Sequence, residues 1–282
     1  MTIAANQKRQ LPQSKADRRF WYACWAIGGV YLLLLVLLLL ADLLSTTLAD
    51  YRQILTNPAI WHSAKLSLIT SGISAILSLW VAIPLGYVMS RGSFRGHALI
   101  DALVDIPIVL PPVVVGLSLL ILFNTPFFGA SLEDALQNTL GLSVTYQVPA
   151  ILLAQFVVVS AFAIRTMRVT FDQIGERDEQ IAQTLGSNRF QAFVEVTLPQ
   201  AMRGMVTALT LAWARALGEF GPILVFAGAT KMRTEVLSTS IFLELSSGDL
   251  GAATALSVMM IGLAITVLTV IRWFGMREPE YL

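Results

Sequence analysis

The chain has 282 residues, of which 56% are hydrophobic and 13% are charged, and its formal net charge is +1. Soluble domains carry about a quarter charged residues, so this composition, with a mean hydropathy of +0.71, excludes an ordinary soluble protein and indicates a membrane protein. The single cysteine, Cys24, excludes an intrachain disulfide framework and is expected to be a small buried hydrophobe.

Six stretches of the chain have the apolar character of membrane helices. Crossing about 30 Å of hydrocarbon takes roughly 20 apolar residues, with a range of about 17 to 25. The predicted spans cover approximately residues 20–41, 66–90, 97–123, 148–164, 204–229 and 250–271. The sequence therefore predicts an all-α, polytopic fold with one transmembrane domain over residues 20–273.

The first span follows a basic segment, residues 1–19, which carries five Lys and Arg residues and one Asp. A basic segment before an apolar run is also typical of a secretory signal peptide, but the apolar region of such a peptide is about 7 to 15 residues long. Residues 20–41 exceed that length. We therefore predict a retained span after an N-terminal tail, and a second tail over residues 274–282.

The third span contains a proline-rich stretch, DIPIVLPPVVVGLSLL, at residues 105–120. Proline lacks a backbone N–H, so a continuous helix is excluded there, and neighbouring segments or water must satisfy the freed carbonyls. Transporters line their pathway with such broken helices near the membrane midplane. A packing role alone is the alternative, because proline and glycine are common in membrane helices. The pathway or gate candidates here are Pro107, Pro111, Pro112 and Gly116.

The fifth span carries two charges, Arg215 and Glu219, beside a second break at GEFGP. An intramembrane charge is costly and must face protein or water, and residues four apart share one helix face and can pair. The pair either shapes the pathway at the break or fixes helix packing. We favour packing, because such pairs routinely form without a chemical task. Gly218, Gly221 and Pro222 complete the gate candidates.

Two further carboxylates, Asp101 and Asp105, lie near the start of the third span. We expect them at a solvated interface, with Arg95 as a candidate partner.

The distribution of Lys and Arg predicts the orientation in the membrane. The two tails, the 91–97 connection and the segment between spans four and five hold 14 of these residues, whereas the remaining loops hold four. By the positive-inside rule, both termini and that segment face the cytoplasm. His62 and His97 then lie on opposite sides of the membrane, which excludes a metal site built from both.

Between spans four and five lies a polar segment, residues 180–199, which we call the island; its sequence is QIAQTLGSNRFQAFVEVTLP. Residues 180–185 have a helical composition, and Gly186 is expected to end that helix as a C-terminal glycine cap. Residues 189–196 can form a second short helix.

Phe190 and Phe193 lie three apart on one face of this second helix and could fill a groove in a partner. The alternative is an ordinary connecting loop folded back on its own bundle.

The spacing within the island resembles the signature of type I ATP-binding-cassette importer permeases. In that family a Glu-Ala-Ala triplet, a glycine four positions after it and a hydrophobic-x-Leu-Pro ending form cytoplasmic coupling helices. Gln180 and Ile181 depart from the triplet, and Glu179 is the nearest acid. The resemblance implies a coupling loop over residues 171–199. Its implied docking residues for an ATPase subunit are Glu179, Gln180, Ala182, Gly186, Phe190, Phe193, Val196, Leu198 and Pro199.

Two further stretches are similar to permeases of the molybdate, tungstate and sulfate group. They are IVLPPVVVGLSLL at 108–120 and ARALGEFGPILVFAG at 214–228, and with NPAIWHSAKLSL before the second span the resemblance covers residues 55–273. It implies a tetrahedral oxyanion as substrate, with molybdate or tungstate favoured over sulfate. It also implies a second permease copy, identical or different, two cytoplasmic ATPase subunits, an extracytoplasmic binding protein and a place in the inner membrane.

The sequence contains no GxxxxGK[ST] phosphate loop. We therefore expect a transport subunit that is not an enzyme and binds no cofactor, with ATP and Mg on the partner ATPase. The alternatives are a type I permease for another small solute and an ion-coupled transporter or channel, which would need its own coupling-ion or selectivity site. A membrane enzyme would need a nucleophile–base or metal constellation, and the sequence offers none.

Overall fold

The computed structural model describes residues 15–92, 94–126 and 129–275. Most of the predicted N-terminal tail (1–19) and C-terminal tail (274–282) therefore lies outside the described residues. Within these ranges the fold is helical and forms no β-strand, which confirms the predicted all-α class.

The helices are numbered in chain order. They are α1 (Lys15–Ser45), α2 (Leu48–Thr56), α3 (Pro58–Arg91), α4 (His97–Val109), α5 (Pro112–Asn124), α6 (Leu132–Leu140), α7 (Val148–Gln173), α8 (Glu176–Thr184), α9 (Arg189–Ala192), α10 (Leu198–Gln200), α11 (Met202–Leu217), α12 (Gly221–Phe226), α13 (Leu237–Ser247) and α14 (Leu250–Gly275). A π-helical turn, Phe193–Thr197, connects α9 to α10.

Four helices in the described part of the chain are long and apolar enough to span a bilayer alone, namely α1, α3, α7 and α14. Helices α4 and α5 give a fifth candidate as a pair bent by 111°. Helix α11 has only 16 residues, and the chain continues through a break into the six-residue α12. The third and fifth predicted spans are thus each divided between two helices, and the number of six crossings stays a prediction.

Helices α3, α7 and α11 pack together at the centre of the bundle. Their approach is close: a Cβ added to Gly86 would lie 2.9 Å from the Cβ of Met167. Small and hydroxyl residues allow such approach in lipid, where no hydrophobic force drives helices together. Half of the buried residues of α3 carry a hydroxyl group, namely Ser63, Ser67, Thr70, Ser71, Ser74 and Ser78.

Helix α1 lies at the edge of this bundle. Its membrane-spanning window is 0% buried within the chain, and it packs along α14. Cys24 is exposed on α1, so the expectation that it is buried is wrong.

One end of the bundle collects the island. Here α3 and α7 end and α11 begins, and Arg91 at the end of α3 donates to the carbonyl oxygens of Phe171 and Ile174 at the end of α7. Helices α8, α9 and α10 and the π-helical turn lie at the same end, which we call the island end.

Candidate pathway and coupling site

The first island helix, α8, ends where the sequence predicts. Gly186 has a φ of +106°, in the left-handed region that glycine tolerates. The N–H of Ser187 donates to the carbonyl of Ala182, and that of Gly186 to the carbonyl of Gln183, both at 3.1 Å. These two backbone hydrogen bonds together form a Schellman cap, which confirms the predicted glycine cap. The helix begins earlier than predicted, at Glu176.

The second island helix is interrupted. Asn188 caps α9 in a reciprocal box with Gln191, each N–H···O distance being 2.9 Å. Regular α-helix ends at Ala192, and the π-helical turn takes over where the sequence predicts one helix over 189–196. Such turns occur often at functional sites.

Glu179 lies inside the fold. It is 6% exposed and accepts hydrogen bonds from the Tyr87 hydroxyl at 2.8 Å and the Thr197 hydroxyl at 2.6 Å. Arg91 approaches the same carboxylate at 3.4 Å. Glu179 therefore ties α8 to α3 and to the π-helical turn, and its predicted place on the docking surface is wrong.

Phe193 also faces inward. Its ring lies 4.6 Å from the Tyr87 ring and 6.2 Å from the Phe171 ring, centre to centre. The expectation that Phe190 and Phe193 share a free face is therefore wrong for Phe193.

An open apolar surface remains on the island. Phe190 is 74% exposed and Leu185 83% exposed, and beside them a groove of about 770 Å³ runs between α3 and the island. Of the other predicted docking residues, Gln180, Gly186 and Pro199 are exposed and Ala182, Val196 and Leu198 are half-buried.

The break in the fifth span keeps its backbone groups satisfied. After α11 ends, the carbonyl of Ala216 accepts from the Gln155 side-chain amide at 3.1 Å, and that of Glu219 accepts from the Ser238 hydroxyl at 2.7 Å. Gln155 is 1% exposed and is itself held by Ser74 at 3.2 Å. Side chains of α7 and α13 therefore replace the missing helical bonds, as a membrane interior requires.

The two broken spans meet at their breaks. A Cβ on Gly116 of α5 would lie 2.7 Å from the Cα of Pro222, and one on Gly221 would lie 3.1 Å from the Val113 side chain. Four of the predicted gate candidates, Pro112, Gly116, Gly221 and Pro222, thus belong to one contact. Pro107 does not, because it lies within α4 before the bend.

Arg215 and Glu219 form the predicted pair. Nη1 of Arg215 lies 2.5 Å from Oε2 of Glu219, and the guanidinium carbon lies 5.9 Å from the centre of the Phe162 ring. Gly218 lies between the two residues of the pair, at the end of α11 where the break begins.

Helix α4 is fastened to α7 by ion pairs. Arg165 bonds to both Asp101 and Asp105, and Arg168 also bonds to Asp101 at 2.5 Å. Arg95 is not among the ion-pair partners of these carboxylates in the described part of the chain, so that the expected partner was wrong and the expected solvated interface is a half-buried network.

A comparison with known protein families identifies the chain. Residues 82–277 match the family described as binding-protein-dependent transport system inner membrane component. The chain belongs to this family. The match includes the island and both broken spans. The permease is therefore a multi-pass membrane protein of a transport system.

Individual relatives extend this result. The permease is 32% identical over 238 residues to the sulfate transport system permease protein CysT of Escherichia coli (strain K12), covering 84% of each chain. It is 30% identical over 252 residues to the molybdate/tungstate transport system permease protein WtpB of Pyrococcus abyssi (strain GE5 / Orsay), covering 88% of this chain and 93% of the other.

A solved structure shows the same fold. The permease superposes with a TM-score of 0.74 on a chain of a bacterial alginate ABC transporter in complex with an alginate pentasaccharide-bound periplasmic protein. The two chains are 19% identical, and 93% of this chain and 96% of the other are covered. The type I permease fold implied by the island is confirmed.

Sequence reasoning missed several residues of the permease that hold these elements. In the sequence, Arg91 and Arg165 resemble ordinary charged residues at helix ends. Gln155 is a single polar residue in a predicted apolar helix. An unpaired amide inside a membrane span is a usable signal, because it must find a partner there. The partner itself, 61 residues away for Gln155, has no local signature.

Proposed function

We propose that this chain is the permease subunit of an ATP-driven importer for a tetrahedral oxyanion, with molybdate or tungstate ahead of sulfate. The proposal is supported by relatives whose names specify sulfate and molybdate/tungstate transport. The structural observation that carries it is the island, an ordered surface with exposed Phe190 and Leu185 that is bonded through Glu179 to the central helix α3.

The island supplies the step that couples ATP hydrolysis to transport. A partner ATPase binds the exposed apolar surface, as side chains fill a groove in helix recognition. When two ATPase subunits close on ATP, they displace α8, and the bonds of Glu179 to Tyr87 and Arg91 pass that displacement to α3. Because α3 packs on α7 and α11, the breaks at Gly116 and Pro222 move with them.

In this proposal the island end faces the cytoplasm, together with both termini. The excess of Lys and Arg on that side supports the orientation, 14 residues against four. The chain works with two ATPase subunits, a second permease copy and an extracytoplasmic binding protein that delivers the anion. ATP and Mg bind to the ATPase, and this chain is not an enzyme and binds no cofactor.

Reconstituted transport tests the proposal. The chain is purified with its co-purifying ATPase and reconstituted in vesicles with the binding protein, and uptake of labelled molybdate, tungstate and sulfate is measured with ATP inside or outside the vesicles. We expect uptake that requires ATP on the ATPase side and falls in the order given. Uptake driven by an ion gradient without ATP would contradict the proposal, and uptake of another small solute alone would replace the substrate.

A further inference from the structure

The pair of Arg215 and Glu219 is buried unequally. The Glu219 side chain is 1% exposed, whereas the Arg215 side chain is 36% exposed, although their charged atoms are 2.5 Å apart. If the pair only fastened packed helices together, we would expect both side chains to lie enclosed between those helices. Here Glu219 is enclosed, whereas part of the Arg215 side chain is exposed.

Gln155 establishes how deep the presented charge lies. Its bond to the Ala216 carbonyl puts the end of α11 level with Gln155, seven residues from the start of α7 at Val148, or about 10 Å at 1.5 Å per residue. The Arg215 guanidinium lies against Phe162, a further seven residues along α7. The side chain thus lies between about 10 Å and about 21 Å along α7 from Val148. This range includes the midpoint, at about 15 Å, of a hydrocarbon core about 30 Å thick.

A charge at that depth must face water or protein, because exposure to hydrocarbon is costly. A guanidinium offers five N–H donors in a planar fork, and among the described residues the Glu219 carboxylate is its ion-pair partner. The backbone at the break does not need the pair, since Gln155 and Ser238 already satisfy its carbonyls. Arg165 and Arg168 of α7 are bonded to carboxylates of α4, and Arg91 of α3 is bonded to Glu179 of α8.

We propose that the exposed edge of the Arg215 guanidinium is an oxyanion contact midway along the pathway, and that Glu219 keeps this contact weak. The inference rests on the proposed function and reverses the packing role favoured from sequence. The guanidinium fork matches two oxygens of a tetrahedral oxyanion. The neighbouring carboxylate offsets the positive charge, so the anion leaves readily, which a conducting site requires.

Neutral variants of the pair test the contact. In the reconstituted complex, Arg215→Gln should lower ATP-driven oxyanion uptake by at least about tenfold, the loss expected for one hydrogen bond to a charged group. ATP hydrolysis stimulated by the binding protein should stay within about twofold of wild type, because the coupling loop is untouched. Arg215→Lys should be intermediate, since it keeps the charge but loses the fork. Lys65→Gln, which removes one exposed positive charge of α3, is the matched control and should transport normally.

The double variant Arg215→Gln/Glu219→Gln separates the contact from a packing role. Removing both partners of a buried pair is often tolerated, whereas removing one is not. A packing pair would therefore regain wild-type uptake in the double variant, and an anion contact would stay impaired. Uptake by the double variant within about twofold of wild type would overturn the inference, also if the single variants fail to assemble. Wild-type complex that takes up none of the three oxyanions would instead overturn the proposed function, and the inference with it.

Discussion

At the residue scale, Glu179 shows how one position in a helix decides a side chain's role. The Glu-Ala-Ala pattern of type I permeases has an acid at the position where this chain has Gln180. Consecutive side chains along an α-helix point about 100° apart. The acid at 179 therefore points to Arg91 and Tyr87 instead of outward, and Gln180 is exposed in the groove. Glu179 is therefore an internal strut, and the exposed neighbouring position carries the uncharged Gln180.

Glu179→Gln should uncouple the transporter. The amide keeps the shape but leaves Arg91 without its charge partner, and breaking a buried pair costs about 3–5 kcal/mol. We expect ATP-driven uptake to fall by about tenfold or more, with ATP hydrolysis no longer stimulated by the binding protein, and a lower Tm of the purified chain. Glu176→Gln, an exposed acid in the same helix, is the control and should behave as wild type. Equal behaviour of the two variants would refute the strut.

At the element scale, local signals predict where helices break, and distant contacts decide what the breaks do. Proline at 111 and 112 and the GEFGP stretch locate both broken spans, and Gly186 locates the end of α8. These effects act within a few residues. The bonds of Glu179 to Arg91 and of Arg165 to Asp105 join residues 88 and 60 apart, and no local pattern encodes them. For that reason the inward positions of Glu179 and Phe193 were not predictable.

Substitutions at Gly186 should follow backbone preference and not size. A Cβ there would meet nothing within 4 Å, so the cost comes from the φ of +106°. Non-glycine residues pay roughly 1–2 kcal/mol in left-handed conformation, with Asn and Asp tolerated best. We expect Gly186→Val to lower ATP-driven uptake by about tenfold with membrane insertion intact, and Gly186→Asn to keep most of it. Equal loss in both variants would indicate a steric role instead.

Gly116→Ala should cause a steric clash at the contact between the two broken spans. The added Cβ would lie 2.7 Å from Pro222 Cα and 2.8 Å from its carbonyl oxygen, and backbone cannot yield as a flexible side chain does. Overpacking of this kind costs about 1–3 kcal/mol, so both uptake and the Tm of the purified chain should fall. Gly262→Ala, with nothing within 4 Å of the added Cβ, is the control. Full uptake by Gly116→Ala would contradict the prediction, because it would show that transport does not depend on this close contact.

At the scale of the whole molecule, one helix is held against three central helices through ion pairs, and an apolar helix lies at the periphery. Helices α3, α7 and α11 form the centre, α4 is fastened to it by charges, and α1 lies outside against α14. The family match begins at residue 82 and leaves α1 and α2 outside it. An apolar helix with no buried window within its own chain is free to contact lipid or a second permease copy.

Chemical labelling tests the orientation of this assembly. In a Cys24→Ser background, Phe190→Cys should react with a membrane-impermeant maleimide in inverted membrane vesicles but not in intact cells. Leu142→Cys, at the opposite end and 52% exposed, should show the reverse pattern. Addition of the ATPase subunit should protect the first site and not the second. Labelling of Phe190→Cys in intact cells would invert the proposed topology.

The π-helical turn determines the direction in which the side chains of α9 point. A π-helical turn uses one residue more than a regular α-helical turn. The segment Phe193–Thr197 therefore rotates the side-chain directions of α9 by about 100° relative to α10, which follows it. Without that extra residue, Phe190 would point along a different bearing while α11 kept its place against α3. One additional residue in this turn thus sets the direction in which the exposed Phe190 side chain faces.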